Sequence, residues 1–325
     1  MRMEKIRGSL SENGKKMFDD IVSQRVLGAS THIRMIGDMF LDLAEEGKKR
    51  SADVKTLKEE IGALAAFFIE TRGKASCAVT NGIHEMLAGM SGLETMEMDQ
   101  AEKAINNAVS AYREKTRENL EKIVEYAARF SKNMKKILVF DYSSTVNAFL
   151  EAKEGADIEV FIPESRSING GAAFARTTAA KGIRTHFIPD AAMMYYLRQC
   201  DGAFCGAETA LPDGTAYNTT GSEMAALVCK TLGVPFYVLT PMMKIDGRGL
   251  YGYHREAVVN DLKSRFASVG LTGEEMEKID FSCPELLPIP AEYITGFITE
   301  LGIIPAAGFY AAAAGYLKQL EGGKE

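Results

Sequence analysis

A carboxylate, Glu208, stands directly after a short apolar run from Ala203 to Ala207, and a Pro-Asp-Gly turn follows it. The small polar segment Asn218-Thr219-Thr220-Gly221-Ser222 comes next, and its composition predicts the start of a helix. Parallel sheets bind ligands at the carboxyl ends of their strands, and helix N-termini bind phosphate through free N–H groups. The spacing therefore predicts an acid and a phosphate-binding helix start on one edge of a sheet.

Charged and hydroxyl side chains also follow the other predicted strands. These positions are Asp141, Tyr142, Ser143 and Ser144 after the first strand, Glu164, Ser165 and Arg166 after the second, Asp190 after the third and Lys244 beyond the fifth. Carboxylates and cations on one rim suit a small polyol that carries phosphate. The guanidinium of Arg166 could hold a phosphate through two hydrogen bonds, and the alternative for Arg166 is an ion pair with Glu164.

The elements that carry these residues change in character near residue 133. From Leu10 to Ser131, apolar residues recur three and four positions apart, which predicts helices. After Lys136, short apolar runs alternate with helical segments as far as Leu239. The pattern predicts an α/β fold, with a helical N-terminal domain at residues 1–132 and a Rossmann-like domain with a mostly parallel sheet at residues 133–325.

Composition and motifs exclude several classes of function. The formal net charge of the 325 residues is −6, which does not favour a nucleic-acid or anionic-membrane surface, and no apolar run of roughly 18 residues occurs. The five cysteines show no metal-ligand spacing, and no GxGxxG or GxxxxGK[ST] motif is present. We therefore expect a cytoplasmic protein with no membrane segment, no direct nucleic-acid binding, no metal and no cofactor.

Six short motifs occur in the order typical of one family. They are FIPESR at 161–166, IPDAA at 188–192, GAE at 206–208, N-x-x-G-[ST] at 218–222, the lysine of TPMMK at 240–244, and ELGIIP at 300–305. Together they resemble the translation initiation factor 2B α/β/δ superfamily, which includes ribose-1,5-bisphosphate isomerase and methylthioribose-1-phosphate isomerase. In the helical half, Leu27-Gly28-Ala29 resembles the Arg-Gly-Ala turn of that family, and Glu70-Thr71-Arg72 resembles its Thr-Arg-Pro segment. The resemblance covers nearly the whole chain and implies the same two-domain fold.

The resemblance also identifies departures among the functional residues. The isomerases of the family use a cysteine after the first strand and an aspartate after the fourth, where this chain has Tyr142 and Glu208. Thr219 replaces a phosphate-binding lysine, and Leu27 replaces the arginine of the Arg-Gly-Ala turn. A phenol transfers protons less readily than a thiol at neutral pH, and one additional methylene moves a carboxylate by about 1 Å. We therefore expect the isomerase reaction to be lost.

The phosphate pocket is expected to survive these departures. The resemblance implies ligand contacts at Gly28, Ala29, Arg72, Arg166, Asn218, Thr219, Thr220 and Lys244. Alternatives remain for three of these positions. Asn218 could be a plain N-cap, Arg72 an exposed charge at a helix end, and Lys244 a solvated loop charge.

Two functions follow from these observations. The first is a regulatory protein that binds a phosphorylated sugar or nucleotide in the cleft between domains and lacks the isomerase pair. The second is an aldose–ketose isomerase acting on a ribose-1-phosphate-type sugar phosphate, with Glu208 as acid/base and Tyr142 or Asp141 as its partner. An unliganded scaffold is a third possibility. The apolar segment Ala306 to Leu317, together with the resemblance, predicts a homodimer through the C-terminal half.

Overall fold

The computed structural model describes residues 2–23, 25–26, 28–253 and 255–322. Its α-helices are α1 (Arg2–Gly8), α2 (Glu12–Val22), α3 (Ala29–Lys49), α4 (Val54–Phe68), α5 (Cys77–Ala88), α6 (Met98–Phe130), α7 (Ser144–Glu151), α8 (Gly171–Ala180), α9 (Met193–Leu197), α10 (Ser222–Leu232), α11 (Gly273–Glu277) and α12 (Phe309–Gly322). Its strands are β1 (Lys136–Phe140), β2 (Glu159–Pro163), β3 (Arg184–Ile188), β4 (Gly202–Gly206), β5 (Thr209–Ala210), β6 (Ala216–Thr219), β7 (Phe236–Leu239), β8 (Val259–Asp261), β9 (Ser282–Pro284), β10 (Leu286–Ile289), β11 (Gly296–Thr299) and β12 (Gly302–Pro305).

The first of two units is helical, as the sequence predicts. It comprises the chain up to Glu118, together with Met243–Ile245 and the segment from Tyr316 onward. Two of its helices, α2 and α4, begin at side-chain caps, since the Ser11 hydroxyl accepts from the Gly14 N–H at 3.1 Å and the Asp53 carboxylate accepts from the Thr56 N–H at 2.7 Å. Their apolar faces form one core whose largest members are Phe18, Phe40 and Phe68.

The second unit contains the parallel sheet. It comprises Asn119–Met242 and Asp246–Gly315, and its seven strands lie in the order β12-β11-β7-β4-β1-β2-β3. All neighbouring strands are parallel except β11 and β12, and central β1 pairs with both β2 and β4. The last four residues of β1 and of β2 are all buried, so both faces of the sheet are covered. The predicted α/β fold with a mostly parallel sheet is confirmed.

Two smaller sheets accompany the parallel one. Strands β10, β6 and β5 form an antiparallel sheet, and β8 pairs with β9. Asn218 and Thr219 lie on β6, so the predicted helix start at residues 218–222 is wrong for these two residues, whereas Gly221 is the N-cap and α10 begins at Ser222. The β-strand pairing of Ala216–Thr219 with Leu286–Ile289 satisfies the backbone of this segment instead.

Helix α6 runs through the boundary between the two units. The units divide between Glu118 and Asn119, inside α6, whereas the predicted boundary at residue 133 lies just beyond its end at Phe130. None of the helices described is both long and apolar enough to cross a membrane.

Candidate ligand-binding site

The carboxyl ends of β1, β2 and β3 lie side by side, because these strands are adjacent and parallel. We call the residues that follow them the β1–β3 edge, which comprises Asp141–Ser144, Glu164–Gly170 and Asp190. The sequence predicted that charged side chains would gather on this rim. Hydrogen bonds join the three segments directly.

Asp141 is the most enclosed carboxyl of this edge, with 2% of its surface exposed. Its Oδ1 accepts a hydrogen bond from Ser165 Oγ at 2.7 Å. The side chain of Thr219, at the end of β6, and the N–H of Tyr142 also face the carboxyl and favour its charged form. Burial raises the pKa of Asp141, and the charge of Asp190 adds to that increase, while the hydrogen bonds from Thr219, Ser165 and Tyr142 oppose it.

Asp190 holds the loop after β2 from the other side. Its Oδ1 accepts from the Ser165 N–H at 2.8 Å, and its Oδ2 accepts from the Arg166 N–H at 2.9 Å. The guanidinium of Arg166 contacts the Glu164 carboxylate at 3.3 Å. The structure therefore contains the ion pair that was the alternative interpretation of Arg166, and the loop that carries this pair is fixed by two carboxylates.

Three residues of the β1–β3 edge have left-handed backbone conformations, which contacts with the surrounding residues must stabilise. Asp141, Ser165 and Asn169 have φ angles of 56°, 49° and 56°, in the left-handed region. Residues other than glycine adopt this region at a cost of order 1 kcal/mol or more, and they occur most often at functional sites. A side chain on Gly170 would overlap the Asp141 carboxyl, so the loop also requires glycine at that position.

Several hydrogen-bond donors of this edge have no acceptor among the described residues. Ser167 Oγ is the buried side-chain atom without a partner in that part of the chain. The N–H groups of Ser144 and Thr145, in the first turn of α7, likewise have no acceptor there. A helix start and a hydroxyl left in this state are suited to an anion or to a ligand oxygen.

Tyr142 and Glu208 occupy the positions expected from the sequence. The side chain of Tyr142 is 46% exposed, and its ring lies 5.7 Å from that of Phe174. Glu208 lies between β4 and β5, is half-buried, and its N–H donates to the Tyr217 carbonyl at 2.9 Å. An exposed phenol beside the edge does not reproduce the environment in which a buried proton-transfer group works.

The segment from Asn218 to Ser222 is largely satisfied by its own surroundings. Asn218 Nδ2 donates to Ser222 Oγ at 2.8 Å, and the N–H of Gly221, the N-cap of α10, donates to the Glu223 carboxylate at 2.9 Å. The Thr220 hydroxyl donates to the Pro284 carbonyl. Asn218 is therefore neither the N-cap nor the head of a free donor cradle, and a carboxylate already occupies the start of α10.

Four predicted site residues lie in the helical unit. Gly28 is the N-cap of α3 and Ala29 its first residue, while Leu27 lies outside the described residues. The guanidinium of Arg72 donates to the carbonyls of Ile21 at 2.7 Å and Val22 at 3.2 Å. Arg72 thus caps the end of α2 and is not simply an exposed charge.

Lys244, the fourth of these residues, ends a short 3₁₀ turn at Met242–Lys244. Its carbonyl accepts from Cys77 Sγ at 3.2 Å, and Asn81 Nδ2 donates to the flanking carbonyls of Met243 at 2.9 Å and Ile245 at 3.0 Å. The backbone of this turn is therefore held firmly within the helical unit.

Sequence reasoning missed the roles of Ser165 and Thr219 beside Asp141, and it missed the unpartnered hydroxyl of Ser167. The available signal was a hydroxyl near the end of a buried strand, since Ser165 lies two residues after β2 and Thr219 is the last residue of β6. Among the described residues, no group of three or more His, Cys, Asp or Glu side chains is placed to hold a metal ion. Arginine, hydroxyls and carboxylates make the edge chemically suited to a polyol with an anionic group.

Comparison with known proteins gives a family and a set of relatives. The model of the initiation factor 2 subunit family matches residues 29–306. The chain is 26% identical over 252 residues to ribose 1,5-bisphosphate isomerase of Methanocaldococcus jannaschii, which covers 75% of this chain and 77% of that protein. It is 27% identical over 296 residues to ribose 1,5-bisphosphate isomerase of Archaeoglobus fulgidus, with 88% of each chain covered.

Solved structures show the same fold. Translation initiation factor eIF-2B from Pyrococcus horikoshii OT3 superposes with a TM-score of 0.71 at 22% identity, over 91% of this chain and 98% of that one. The 5-methylthioribose 1-phosphate isomerase from the same organism superposes with a TM-score of 0.75 at 18% identity, over 94% of this chain and 87% of that one. At such identities the similarity concerns the fold.

Proposed function

The chain is a member of the initiation factor 2 subunit family, and we propose that its β1–β3 edge binds a phosphorylated sugar or nucleotide without isomerising it. One observation carries this proposal. The loop after β2 is fixed by Asp141 and Asp190, and it presents the Arg166 guanidinium together with the unpartnered hydroxyl of Ser167. The bond between Asp141 and Ser165 joins that loop to the segment that opens α7.

Different groups of the β1–β3 edge bind different parts of such a ligand. The phosphate takes the guanidinium of Arg166, the Ser167 hydroxyl and the free N–H groups of Ser144 and Thr145. The carboxylate of Asp190 accepts hydrogen bonds from sugar hydroxyls, since an ionised carboxylate is an acceptor only. Relatives named for ribose 1,5-bisphosphate and methylthioribose 1-phosphate support a phosphorylated pentose as the ligand class.

Loss of turnover follows from the two departures in the reacting groups. Aldose–ketose exchange moves a proton between neighbouring carbons, so it needs an acid and a base aligned on both. Tyr142 presents an exposed phenol at one position, and Glu208 carries a longer side chain at the other. Paired proton-handling groups act as a unit, so two changes together remove the activity that either one could support.

A second candidate function is an isomerase of altered chemistry. One observation favours it, because Asp141 is a buried carboxyl whose raised pKa lets it hold a proton at a higher pH than an exposed aspartate does. In this scheme Glu208 is the acid/base and Asp141 is its partner. Conversion of a ribose-1-phosphate-type sugar phosphate to the ketose, and loss of that conversion in Glu208→Gln, distinguish the second candidate from the first.

A thermal-shift panel of pentose phosphates, hexose phosphates and nucleoside monophosphates tests the proposal. A ligand at 100 times its dissociation constant stabilises the protein by about 2.7 kcal/mol. Arg166→Ala abolishes the shift. Arg184→Ala, which removes an arginine paired with Glu159 at 3.2 Å at the other end of the same strands, leaves the shift intact. If no phosphorylated compound at millimolar concentration raises the melting temperature, the proposed function is wrong.

A further inference from the structure

A single buried carboxyl, that of Asp141, links two parts of the β1–β3 edge and lies beside the end of β6. Asp141 follows β1 and accepts from Ser165 in the loop after β2, and the side chain of Thr219 at the end of β6 faces it and favours its charged form. The two strands β1 and β6 belong to different sheets, so Asp141 connects the parallel sheet to the smaller antiparallel one. Ser165 and Thr219 are themselves buried.

The link from Asp141 continues to Arg166. Ser165 donates its hydroxyl to Asp141 and its N–H to Asp190, and the next N–H, that of Arg166, also goes to Asp190. Ser165 is held in the left-handed region between these two carboxyls. The direction in which Arg166 leaves the loop is therefore set by its neighbour, and that neighbour is fixed by Asp141.

We propose that Asp141 is a positioning residue that aims Arg166 through Ser165, and that the charge on Asp141 opposes the ligand's phosphate, so affinity rises when the carboxyl takes up a proton. This inference rests on the proposed function, because it concerns the phosphate bound at the same edge. A carboxylate enclosed in protein repels a nearby anion more strongly than one in water does. Its neutral form keeps an oxygen that can accept from Ser165.

Several titratable or charged groups lie around Asp141, and its proton uptake must be distinguished from theirs. Asp190 faces it from β3, the thiol of Cys205 from β4, and the pair of Glu164 and Arg166 lies in the adjoining loop. Burial raises the pKa of Cys205 well above its ordinary value, so that thiol stays neutral at and below neutral pH. Since burial also raises the pKa of Asp141, the carboxyl gains its proton at a higher pH than an exposed aspartate.

The test uses inorganic sulfate as the probe, because sulfate keeps both charges throughout the range studied, and ribose 5-phosphate as a second ligand. Dissociation constants are measured by calorimetry from about pH 5 to about pH 8. The unmodified protein binds sulfate more tightly as pH falls. Asp141→Asn keeps the shape and the acceptor oxygen without the charge. It binds sulfate with little dependence on pH and, at the alkaline end, roughly tenfold more tightly than the unmodified protein.

Two further variants separate positioning from charge. Ser165→Ala breaks the link to Arg166 and weakens sulfate binding at every pH. Thr219→Val removes a hydrogen bond that favours the charged carboxyl, so the midpoint of the pH profile moves upward. This variant also serves if Asp141→Asn does not fold, because a midpoint that fails to move upward overturns the inference.

The outcomes distinguish this inference from the proposed function. Absence of saturable binding of both probes at every pH overturns the proposed function and the inference with it. Binding by the unmodified protein that does not change with pH, or a profile in Asp141→Asn that matches the unmodified one, overturns the inference alone.

Discussion

The guanidinium of Arg166 contacts the carboxylate of Glu164 at 3.3 Å, two residues earlier on the same loop. Both side chains are partly exposed, so the pair contributes little to stability, about 0–1 kcal/mol. A phosphate offers the guanidinium a second, stronger partner in a bidentate arrangement. If the proposed function is right, the ligand displaces Glu164, and we expect the charge of Glu164 to compete with the ligand for Arg166.

This competition predicts opposite effects for the two members of the pair. Glu164→Gln removes the competing charge and lowers the dissociation constant of a phosphorylated ligand roughly threefold to tenfold, by about 1 kcal/mol. Arg166→Ala raises the dissociation constant by at least as much. Titration calorimetry measures both, with Glu159→Gln, a carboxylate paired with Arg184 at the amino end of β2, as the control. Weaker binding in Glu164→Gln would contradict this account.

The close approach of Gly221 to Phe140 gives a prediction about stability. Gly221 has a φ of 104°, and a Cβ at this position would lie 2.7 Å from Phe140 Cζ, which is buried at the end of β1. We predict that Gly221→Ala lowers the free energy of unfolding by about 2–4 kcal/mol, through backbone strain and overpacking together. Gly182→Ala is the control, because Gly182 has a φ of 66° with open space around it. If urea unfolding shows the same loss of unfolding free energy in the two variants, the contact with Phe140 adds nothing to the cost and the prediction is wrong.

The buried amine of Lys153 makes the stability of the protein change with pH in the alkaline range. Its Nζ donates to the carbonyl of Ser131 at 3.1 Å and to that of Ala128 at 3.4 Å, near the end of α6. Burial lowers the pKa of Lys153 from its ordinary value of 10.5. The unfolded chain therefore holds this proton more tightly than the folded protein. Stability from this group is present above the unfolded pKa and is lost as pH falls through the folded pKa.

The unfolding free energy of Lys153→Met, relative to that of the unmodified protein, is therefore highest near neutral pH. We predict that the unfolding free energy of the variant, relative to the unmodified protein, decreases as pH rises toward about 10.5. Urea unfolding at a series of pH values measures this difference, and Lys132→Met, at an exposed lysine just after α6, controls for loss of a surface charge. A difference that stays constant with pH, or that grows, would rule out the assigned role of burial.

How far the fold could be predicted depended on whether its signals were local. Each strand of the parallel sheet up to β7 is a short apolar run between helical segments, so the α/β pattern was readable directly. Strand β6 was not predicted, because Ala216–Thr219 pairs with the distant Leu286–Ile289 and its last residues are small and polar, like those of the helix start that follows at Ser222. The acids and Arg166 of the β1–β3 edge could be placed from strand ends alone. The capping of α2 by Arg72 could not, since it joins positions 51 residues apart in the chain.

The edge of the sheet at β12 predicts association of two copies of the chain. Strand β12 is the last of the seven, and apolar side chains near it are exposed, with Leu301 at 59%, Ile303 at 40% and Tyr310 at 58%. We predict a homodimer through this edge, because an unpaired apolar edge strand favours association.

Light scattering at micromolar concentration gives the mass. The expected value is near twice 35.5 kDa, falling toward the single-chain value in Ile303→Lys. Phe187→Lys, on the opposite edge strand β3, serves as the control and leaves the mass unchanged. A single-chain mass for the unmodified protein would refute the dimer.

The most direct test of the central claim is one titration of the unmodified protein with ribose 1,5-bisphosphate, read at the same time for binding and for product. Calorimetric heat reports saturation, and NMR of the same sample reports any ketose. Our account predicts saturable binding that Arg166→Ala abolishes, with no ketose formed at an enzymatic rate. A rate on the order of 1 per second or more would contradict the absence of turnover and make Glu208 the catalytic acid/base. No saturable binding up to millimolar ligand would contradict the site itself.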